Sequence, residues 1–426
     1  MSEIISDSSI LELLHRYTGM ALGCTEPIAA ALAVVKARET LGKTPEKINL
    51  HVSGNIYKNG MGVGIPGTSE KGIRIAAALG VLTGESSRAL EVLEGVTDEI
   101  AARAVEMVKE GKVDIDIVPD VDKLYIEAVL TAGEDTASAV VEHSHTNIVC
   151  ASLNGREVYH APVENCTYTT TDDGRVEGLT VERIYRWAKE VNIEKLDCIA
   201  RGAEVNWAIA DAGLKKRYGY SLGKTLSVKS RSDADIMRNS MARVAAGVDA
   251  RMSGSMLPVM TNSGSGNQGI TIYVPVINTA VNMGTSQEEM LRALAFANMI
   301  PIHIKQQIGP LSALCGIVPA SIGAACGIAF LRGATLPQIK NVIQLIIANI
   351  SGLFCDGAKA SCSMKASVGI CAAYEAIYIA VDGGLQASDD GILDIDVEQS
   401  IDNLSRIAVR AMDSTDNEII NIMTCK

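Results

Sequence analysis

Three cysteines stand in segments rich in glycine, threonine and aspartate, and residues of these types could hold a metal cluster. They are Cys24 within Gly-Cys-Thr-Glu-Pro, Cys315 within Leu-Cys-Gly, and Cys355 within Cys-Asp-Gly-Ala-Lys. Three thiolates can hold an iron–sulfur cluster while one iron stays open to a substrate. The pattern therefore predicts an enzyme whose chemistry takes place at a metal cluster.

A fourth cysteine, Cys362, follows Cys355 closely and could reach the same cluster. A cluster bound by four thiolates would be structural or would transfer electrons, so this residue separates two classes of protein. We interpret Cys362 as a neighbour rather than a ligand. The chain has no Cys-x-x-Cys pair, which excludes the zinc-ribbon and thioredoxin motifs. We assign no role to the other cysteines, which are Cys150, Cys166, Cys198, Cys326, Cys371 and Cys425.

A run of small polar residues, 261–269, predicts an anion-binding segment. Small residues let backbone N–H groups converge on an anion, and the Ser and Asn side chains add donors. The residues expected to bind are Ser263, Gly264, Ser265, Gly266 and Asn267. The run also contains G-x-G-x-x-G, but its neighbours predict helices rather than a βαβ unit, so a dinucleotide site is not expected. The alternative is a flexible loop between helices.

A second polar segment, 53–68, is rich in glycine and asparagine and carries one cation, Lys58. This lysine could pair with a carboxylate or, if desolvated, act as a base.

His51 precedes the segment on a predicted strand, where a lone histidine is more often structural. His143 and His145 alternate along another predicted strand, and without a third ligand nearby we interpret them as surface residues.

A chain of 426 residues, of which 47% are apolar, can build two domains with sizeable cores. Its 38 basic and 50 acidic side chains give a net charge of -12, which argues against nucleic acid as a partner. The acidic start lacks a signal-peptide pattern, so we expect a cytoplasmic protein with reduced thiols. The uncharged stretch 313–331 is interrupted by Pro319 and glycines, and predicts a buried helix rather than a membrane span.

The periodicity of apolar residues predicts an α+β fold with two domains. Residues 1–175 mix helices with strands expected near 47–52, 113–118, 124–131, 137–142, 146–153 and 156–159, and Asn154-Gly155 predicts a hairpin turn. Residues 176–426 predict an all-α domain of helices that are apolar on most faces. The first cysteine motif thus falls in one domain and the other two fall in the other.

Taken together, the three cysteine motifs and the two polar segments resemble the L-cysteine desulfidase family, which is related to the iron–sulfur L-serine dehydratases. The resemblance extends over nearly the whole chain. It implies a [4Fe-4S] cluster held by Cys24, Cys315 and Cys355. The related serine dehydratases take their third ligand from a cysteine shortly after the one that resembles Cys355, so the choice between Cys24 and Cys362 stays open.

The reaction implied by this resemblance is the elimination of L-cysteine to pyruvate, ammonia and sulfide. The open iron would bind the substrate thiolate, and the 263–267 segment and the helix end at Cys24 and Thr25 would bind its carboxylate. Lys58 is expected to act as the base or as an orienting cation. Hydrogen bonds to the substrate are expected from Thr25, Asn55 and Asn59.

Three other functions remain open. One is an L-serine dehydratase with the same cluster, and a second is a pyridoxal phosphate enzyme that catalyses the same elimination. The third is a non-catalytic iron–sulfur protein in which Cys362 is the fourth ligand. The apolar helices also suggest a homodimer, while the partners expected are a small amino acid and neither nucleic acid nor a membrane.

Overall fold

The computed structural model describes residues 5–162, 168–171, 174–229, 235–384 and 390–425. Within these ranges the chain is α+β, as the sequence predicts, with a mixed sheet near the N-terminus and helices through the rest. Cys166 lies outside the described residues.

The main sheet has six strands in the order β3-β2-β4-β5-β6-β7. Its strands are β2 (Lys47–Val52), β3 (Val113–Ile117), β4 (Tyr125–Ala132), β5 (Asp135–Glu142), β6 (Ile148–Leu153) and β7 (Arg156–His160). Only β2 and β3 run parallel, and the other pairs are antiparallel. The predicted hairpin turn at Asn154-Gly155 joins β6 and β7 with φ angles of 52° and 76°, which is the backbone form favoured in tight hairpins.

Helices of the N-terminal part cover this sheet and lead into the helical part. They are α1 (Asp7–Tyr17), α2 (Thr25–Leu41), α3 (Gly54–Gly60), α4 (Ile73–Leu82) and α5 (Asp98–Lys109), with a 3₁₀ turn at Ser86–Glu91. α2 packs against β4, β5 and β6. Its many alanines let the helix lie close to the sheet, and it is buried along nearly its whole length.

Among the described residues after β7, the regular elements are helices apart from one short strand. Its helices are α6 (Val181–Glu190), α7 (Asp197–Lys215), α8 (Leu222–Lys229), α9 (Ile236–Met252), α10 (Gly266–Met283), α11 (Gln287–Lys305), α12 (Ile317–Leu331), α13 (Leu336–Ile350), α14 (Cys362–Ile377), α15 (Val397–Arg406) and α16 (Asp413–Thr424). A 3₁₀ turn lies at Ile193–Lys195, and π-helical turns lie at Tyr378–Asp382 and Ile407–Ala411. The short strands β1 (Met20–Ala21) and β8 (Val259–Met260) pair with each other.

Two segments differ from the sequence expectation. Residues 87–110, whose apolar spacing predicts one helix, are divided, because Gly95 has a left-handed φ of 87° and Thr97 starts a new helix by accepting a hydrogen bond from Ile100 N–H at 3.3 Å. The polar segment after Val52 begins with a short helix, α3, since the Ser53 side chain accepts a hydrogen bond from Ile56 N–H at 3.2 Å.

The two hydrophobic cores do not follow the order of the chain strictly. One core is formed by α2, α4 and the sheet, and the other by the C-terminal helices. α1 belongs to the helical core and packs on α11, whereas α16 packs on α3 beside the sheet. The first helix thus packs with the C-terminal helices, and the last helix packs with the N-terminal part.

One helix among the described residues, Cys362–Asp382, is long and apolar enough by composition to cross a membrane, and 56% of that window is buried inside the protein. It packs against α9 and α12. The uncharged stretch 313–331 forms α12, which is buried from Ile317 to Ala329 as expected.

Candidate active site

Cys315 and Cys355 lie side by side because their loops pair through their backbones. The Cys315 N–H donates to Leu353 O at 2.9 Å, and the Cys355 N–H donates to Ala313 O at 2.6 Å. The residues that follow Ala313 and Leu353 form an isolated antiparallel bridge. The loop before α12 and the loop after α13 are thereby held together, which brings these two cysteines to one place.

Cys24 reaches the same region from the N-terminal part. It is the N-cap residue of α2, its side chain makes no capping hydrogen bond, and it is buried. Burial raises the pKa of the Cys24 thiol to about 12, the positive charge of Arg251 opposes this, and Glu26 and Cys362 raise it further. The Cys24 thiol is therefore within electrostatic range of Cys362.

Cys362 is the first residue of α14 and lines the same cavity as Cys315 and Cys355. Its thiol donates to Gly357 O at 3.8 Å. Burial raises the pKa of Cys362, and it raises the pKa of Cys315 to about 12, with Cys355 adding to both shifts. Cys362 thus lies beside Cys315 and Cys355, a position open to a neighbour and to a ligand alike.

The cysteines form a donor set of the kind that holds an iron–sulfur cluster. Among the described residues, no group of three or more His, Cys, Asp or Glu is arranged to hold a metal ion. A cluster requires a wider arrangement, because each thiolate binds a different iron atom. Cys315, Cys355 and Cys362, which line one cavity, supply thiol groups of the kind that a cluster requires.

The cavity beside these cysteines has a volume of about 90 Å³. Pockets for drug-sized ligands are larger, about 300–1,000 Å³. Polar and charged side chains from both parts of the chain line it together with the cysteines. Its size and lining suit a small polar molecule.

One wall of the cavity carries a buried cation and two amides. Arg251, in the last turn of α9, donates from Nη1 to Asn267 Oδ1 at 3.0 Å and from Nη2 to Gly23 O at 2.9 Å. Arg251 Nε and Gln268 Oε1 are buried without a hydrogen-bond partner among the described residues. Arg251 lines the cavity and can bind a carboxylate there, because a guanidinium is a suitable donor for it.

Glu26 stands at another wall and is held by its neighbours. Thr25 Oγ1 and Asn59 Nδ2 each donate to the Glu26 carboxylate at 3.1 Å, and His145 Nε2 lies 3.9 Å from it. Burial alone would raise the pKa of Glu26, but its interaction with the nearby His145, with help from Arg251, lowers it to about 2. Glu26 is thus a carboxylate at neutral pH, and it can receive an ammonium group.

Lys305 is a buried amine at the end of α11 that lines the cavity. Its Nζ donates to Pro310 O at 3.1 Å. Burial lowers the pKa of Lys305 to about 8, although Cys355, Glu26 and Cys315 act in the opposite direction. A sizeable fraction of this amine is therefore neutral near physiological pH, so it can accept a proton.

Some residues singled out from the sequence line the cavity and others do not. Those on its lining are Thr25, Asn59, Ser265, Asn267, Cys315 and Cys355, whereas Cys24, Ser263, Gly264 and Gly266 are not on it. Lys58 forms an ion pair with Asp416 and donates to Cys355 O at 3.3 Å. Asn55 Nδ2 donates to Asp416 at 2.6 Å. Lys58 and Asn55 therefore lie behind the cysteine loop, and neither is on the lining.

The sequence predicts that backbone N–H groups of the 263–267 segment are free to bind an anion, but two of them are already hydrogen-bonded within the protein. Ser263 N–H donates to Tyr17 O at 2.8 Å, and Ser265 N–H donates to Asn262 O at 3.0 Å. Ser265 also caps α10, where its side chain accepts from Gln268 N–H at 3.4 Å. The N–H groups of both serines are thus used by the fold, and the segment contributes side chains to the cavity.

Glycines of this region make room for the polar side chains. A Cβ on Gly264, which has a φ of 77°, would stand 2.7 Å from His145 Nδ1, and a Cβ on Gly316 would stand 2.7 Å from Gln268 Nε2. A Cβ on Gly266 would collide with Arg251. Gly264 and Gly266 therefore serve the site by allowing close approach rather than by contacting the cavity.

The sequence reasoning missed four residues of this site: Glu26, His145, Arg251 and Lys305. His145 is buried beside Glu26, which corrects the expectation of a surface residue. His143 is exposed as expected. A usable signal was the position of Lys305 at the end of an apolar helical run, where a charge must be buried. The position of His145 depends on tertiary contacts that no local pattern shows.

Comparison with known proteins assigns a family to this chain. The family model described as serine dehydratase alpha chain matches residues 87–421. The chain belongs to this family. The members of this family are iron–sulfur-dependent dehydratases. The chain is therefore a lyase-type enzyme. Cys24, Glu26 and Asn59 come from the part of the chain before the matched range.

Several bacterial relatives match this chain over nearly its whole length. A UPF0597 protein of Parabacteroides distasonis is 41% identical over 428 residues, which cover 100% of this chain and 99% of the relative. A UPF0597 protein of Oleidesulfovibrio alaskensis is 41% identical over 98% of both chains. A UPF0597 protein of Chromobacterium violaceum is 39% identical over 95% of both.

Proposed function

We propose that the chain is an L-cysteine desulfidase, which eliminates sulfide from L-cysteine and yields pyruvate and ammonia. In this proposal a [4Fe-4S] cluster is held by Cys24, Cys315 and Cys355. The observation that carries the proposal is that Cys315 and Cys355 line one small cavity together with a buried cation, a carboxylate and a buried amine, while Cys24 directly precedes Thr25 and Glu26 on the same lining. Such a set can bind a small amino acid at both of its charged groups.

The bound cluster would supply an iron that binds the substrate sulfur and stabilises it as a leaving group. The protein's part is to provide thiolates. In the metal-free protein burial raises the pKa of Cys24 and of Cys315 to about 12, so both are thiols at neutral pH. Each thiol that becomes a ligand must release its proton, so cluster assembly is expected to be favoured by rising pH.

The substrate is expected to lie with its carboxylate toward Arg251 and its ammonium group toward Glu26. Arg251 is fixed by Asn267 and by the carbonyl of Gly23, so the cation is already in place before the substrate arrives. Glu26 is fixed in the same way by Asn59. Preorganised charges of opposite sign orient an amino acid with little loss of free energy on binding.

Lys305 is our candidate for the base that removes the α-proton. The electron pair of the Cα–H bond forms the Cα=Cβ bond, and the pair of the Cβ–S bond leaves with sulfide. The product, aminoacrylate, tautomerises to an imine that water hydrolyses to pyruvate and ammonia. Lys58 is less suited to this step, because it is paired with Asp416 and lies behind the cysteine loop.

L-serine is the second candidate substrate, and the family match favours it. The same cavity groups would bind L-serine, with hydroxide as the leaving group. The preference for L-cysteine rests on the resemblance of the Cys24, Cys315 and Cys355 motifs to the L-cysteine desulfidase family. A soft thiolate substrate also suits iron better than a hydroxyl group does.

The test is a pair of assays on purified protein reconstituted with iron and sulfide without oxygen. We expect sulfide release from L-cysteine to be faster than pyruvate release from L-serine. The opposite order would make the chain a serine dehydratase. Activity in protein free of iron and sulfide would instead favour the pyridoxal phosphate alternative.

A cytoplasmic location and a homodimer belong to this proposal as well. The described cysteines are all free, which suits a reducing compartment. Size measurement of the purified protein by light scattering tests the dimer.

A further inference from the structure

The loop that carries Cys355 is held by lysine side chains at three successive carbonyl groups. Lys365 Nζ donates to Phe354 O at 2.8 Å. Lys58 Nζ donates to Cys355 O at 3.3 Å, and Lys359 Nζ donates to Asp356 O at 3.0 Å. The backbone on both sides of the Cys355 side chain is therefore fixed by charged donors.

Lys58 differs from the other two lysines in its burial and in its partner. The side chains of Lys58 and of its partner Asp416 are 0% and 3% exposed, respectively. Lys359 and Lys365 are partly exposed and share the nearby Asp356. A fully buried ion pair is costly to form and is very sensitive to loss of one partner, so its geometry is narrowly fixed.

This pair joins two distant parts of the chain at the cysteine loop. Lys58 is on α3, which follows the first strand of the main sheet, and Asp416 is on the last helix, α16. Asn55, also on α3, donates to Asp416 at 2.6 Å. The backbone of Lys58 lies against Gly357, whose φ of 93° and missing side chain allow the contact.

We propose that Lys58 and Asp416 are positioning residues that fix the orientation of Cys355 and thereby make α16 part of the active-site frame. The role assigned to Cys355 rests on the proposed function, but the position of its loop does not. Lys58 acts through the Cys355 carbonyl group and Asp416 acts through Lys58. Neither residue contacts the substrate.

The test compares two double variants of the full-length protein. Lys58→Met/Asp416→Asn removes both buried charges together, so no unpaired charge remains, and it keeps an oxygen to accept from Asn55. Lys123→Met/Asp413→Asn is the control. It removes an exposed ion pair of 3.0 Å that also links α16 to the N-terminal part but does not touch the cysteine loop.

The first measurement is the rate of iodoacetamide labelling of each cysteine in the metal-free protein, read by peptide mass spectrometry. In Lys58→Met/Asp416→Asn we expect the labelling rate of Cys355 to change about fivefold or more, since its loop loses a fixed contact. Cys371, on the far part of α14, is the internal reference and should not change. The second measurement, on reconstituted protein, is the EPR spectrum of the reduced cluster and the rate of iron release to a chelator.

The proposal is supported if Cys355 labelling and iron release both change in the first variant, while its melting temperature stays near that of the control variant. It is overturned if neither rate changes. It is also overturned if Cys371 labelling rises equally and the melting temperature falls, because the pair would then be only structural. Wild-type protein that releases no sulfide from L-cysteine would refute the proposed function, whereas the labelling result would still decide the positioning role.

Discussion

At the scale of single residues, the buried amine of Lys305 leads to a prediction about pH. Its pKa is lowered to about 8 by burial, and a base acts only in its neutral form. We therefore expect kcat/KM to rise with pH from 7 and to level off above about 8. Lys305→Met should lower kcat by about 10²–10⁴-fold and remove that rise, as should Lys305→Arg, whose side chain cannot lose its proton.

Lys189→Met is the matched control for this prediction, because Lys189 lies over the Tyr185 ring on α6 and is not on the cavity lining. It should keep both the rate and the pH profile of the wild type. A Lys305→Met protein that retains full activity would show that another residue is the base.

The four cysteines of the site allow a second prediction at this scale. We expect Cys24→Ala, Cys315→Ala and Cys355→Ala to lose most of the iron and acid-labile sulfide, because each would remove a ligand. Cys362→Ala should keep the cluster and part of the activity. Iron and sulfide analysis of protein reconstituted without oxygen measures this directly.

Cys326→Ala is the control, since Cys326 is buried within α12 away from the cavity lining. If Cys362→Ala loses the cluster while Cys24→Ala keeps it, Cys362 is the third ligand and the elimination chemistry still holds. If all four variants lose the cluster, four thiolates bind it and the open iron that the proposed reaction needs does not exist.

At the scale of elements, the turn before α10 shows how backbone geometry serves the site. Gly264 has a φ of 77°, and a Cβ there would stand 2.7 Å from His145 Nδ1. We expect Gly264→Ala to reduce stability by about 1–2 kcal/mol through backbone strain. It should also lower kcat/KM, because His145 would be pushed from its place beside Glu26.

Gly284→Ala provides the comparison at the other end of the same helix. Gly284 has a similar φ of 66°, but a Cβ there would meet no atom within 4 Å. Gly284→Ala should therefore reduce stability through backbone strain and leave kcat/KM unchanged. Equal kcat/KM in the two variants, measured below their melting temperatures, would mean that His145 has no part in the reaction.

The elements of the sheet were predictable from the sequence, whereas the helices near the site were less so. Strand β2 matches its prediction residue for residue, because alternating apolar side chains report one buried face. α3 was hidden in a glycine-rich segment, since seven residues give no clear helical period. The cysteine motifs were visible locally, but Arg251 and Lys305 join them through the packing of α9 and α11, which sequence periodicity does not describe.

At the scale of the whole molecule, the site lies where two cores meet. Glu26 and Asn59 come from the part around the sheet, and Arg251, Lys305 and Cys315 come from the helical part. Neither part alone holds the full set of groups. α1 packs on the helical core and α16 packs on α3, so the two parts are joined at both ends of the chain. These contacts hold the groups of the site at fixed positions relative to one another.

This arrangement gives a prediction about stability. A cluster with ligands from both parts binds the folded chain and not the unfolded one, so reconstitution should raise the melting temperature. We expect the rise in wild-type protein and in Cys362→Ala, but not in Cys315→Ala or Cys355→Ala. Cys24→Ala is the informative case, because Cys24 is the cysteine of the site that precedes the sheet. If Cys24→Ala loses the cluster-dependent rise, the cluster joins the two parts, whereas an undiminished rise would place all of its ligands in the helical part.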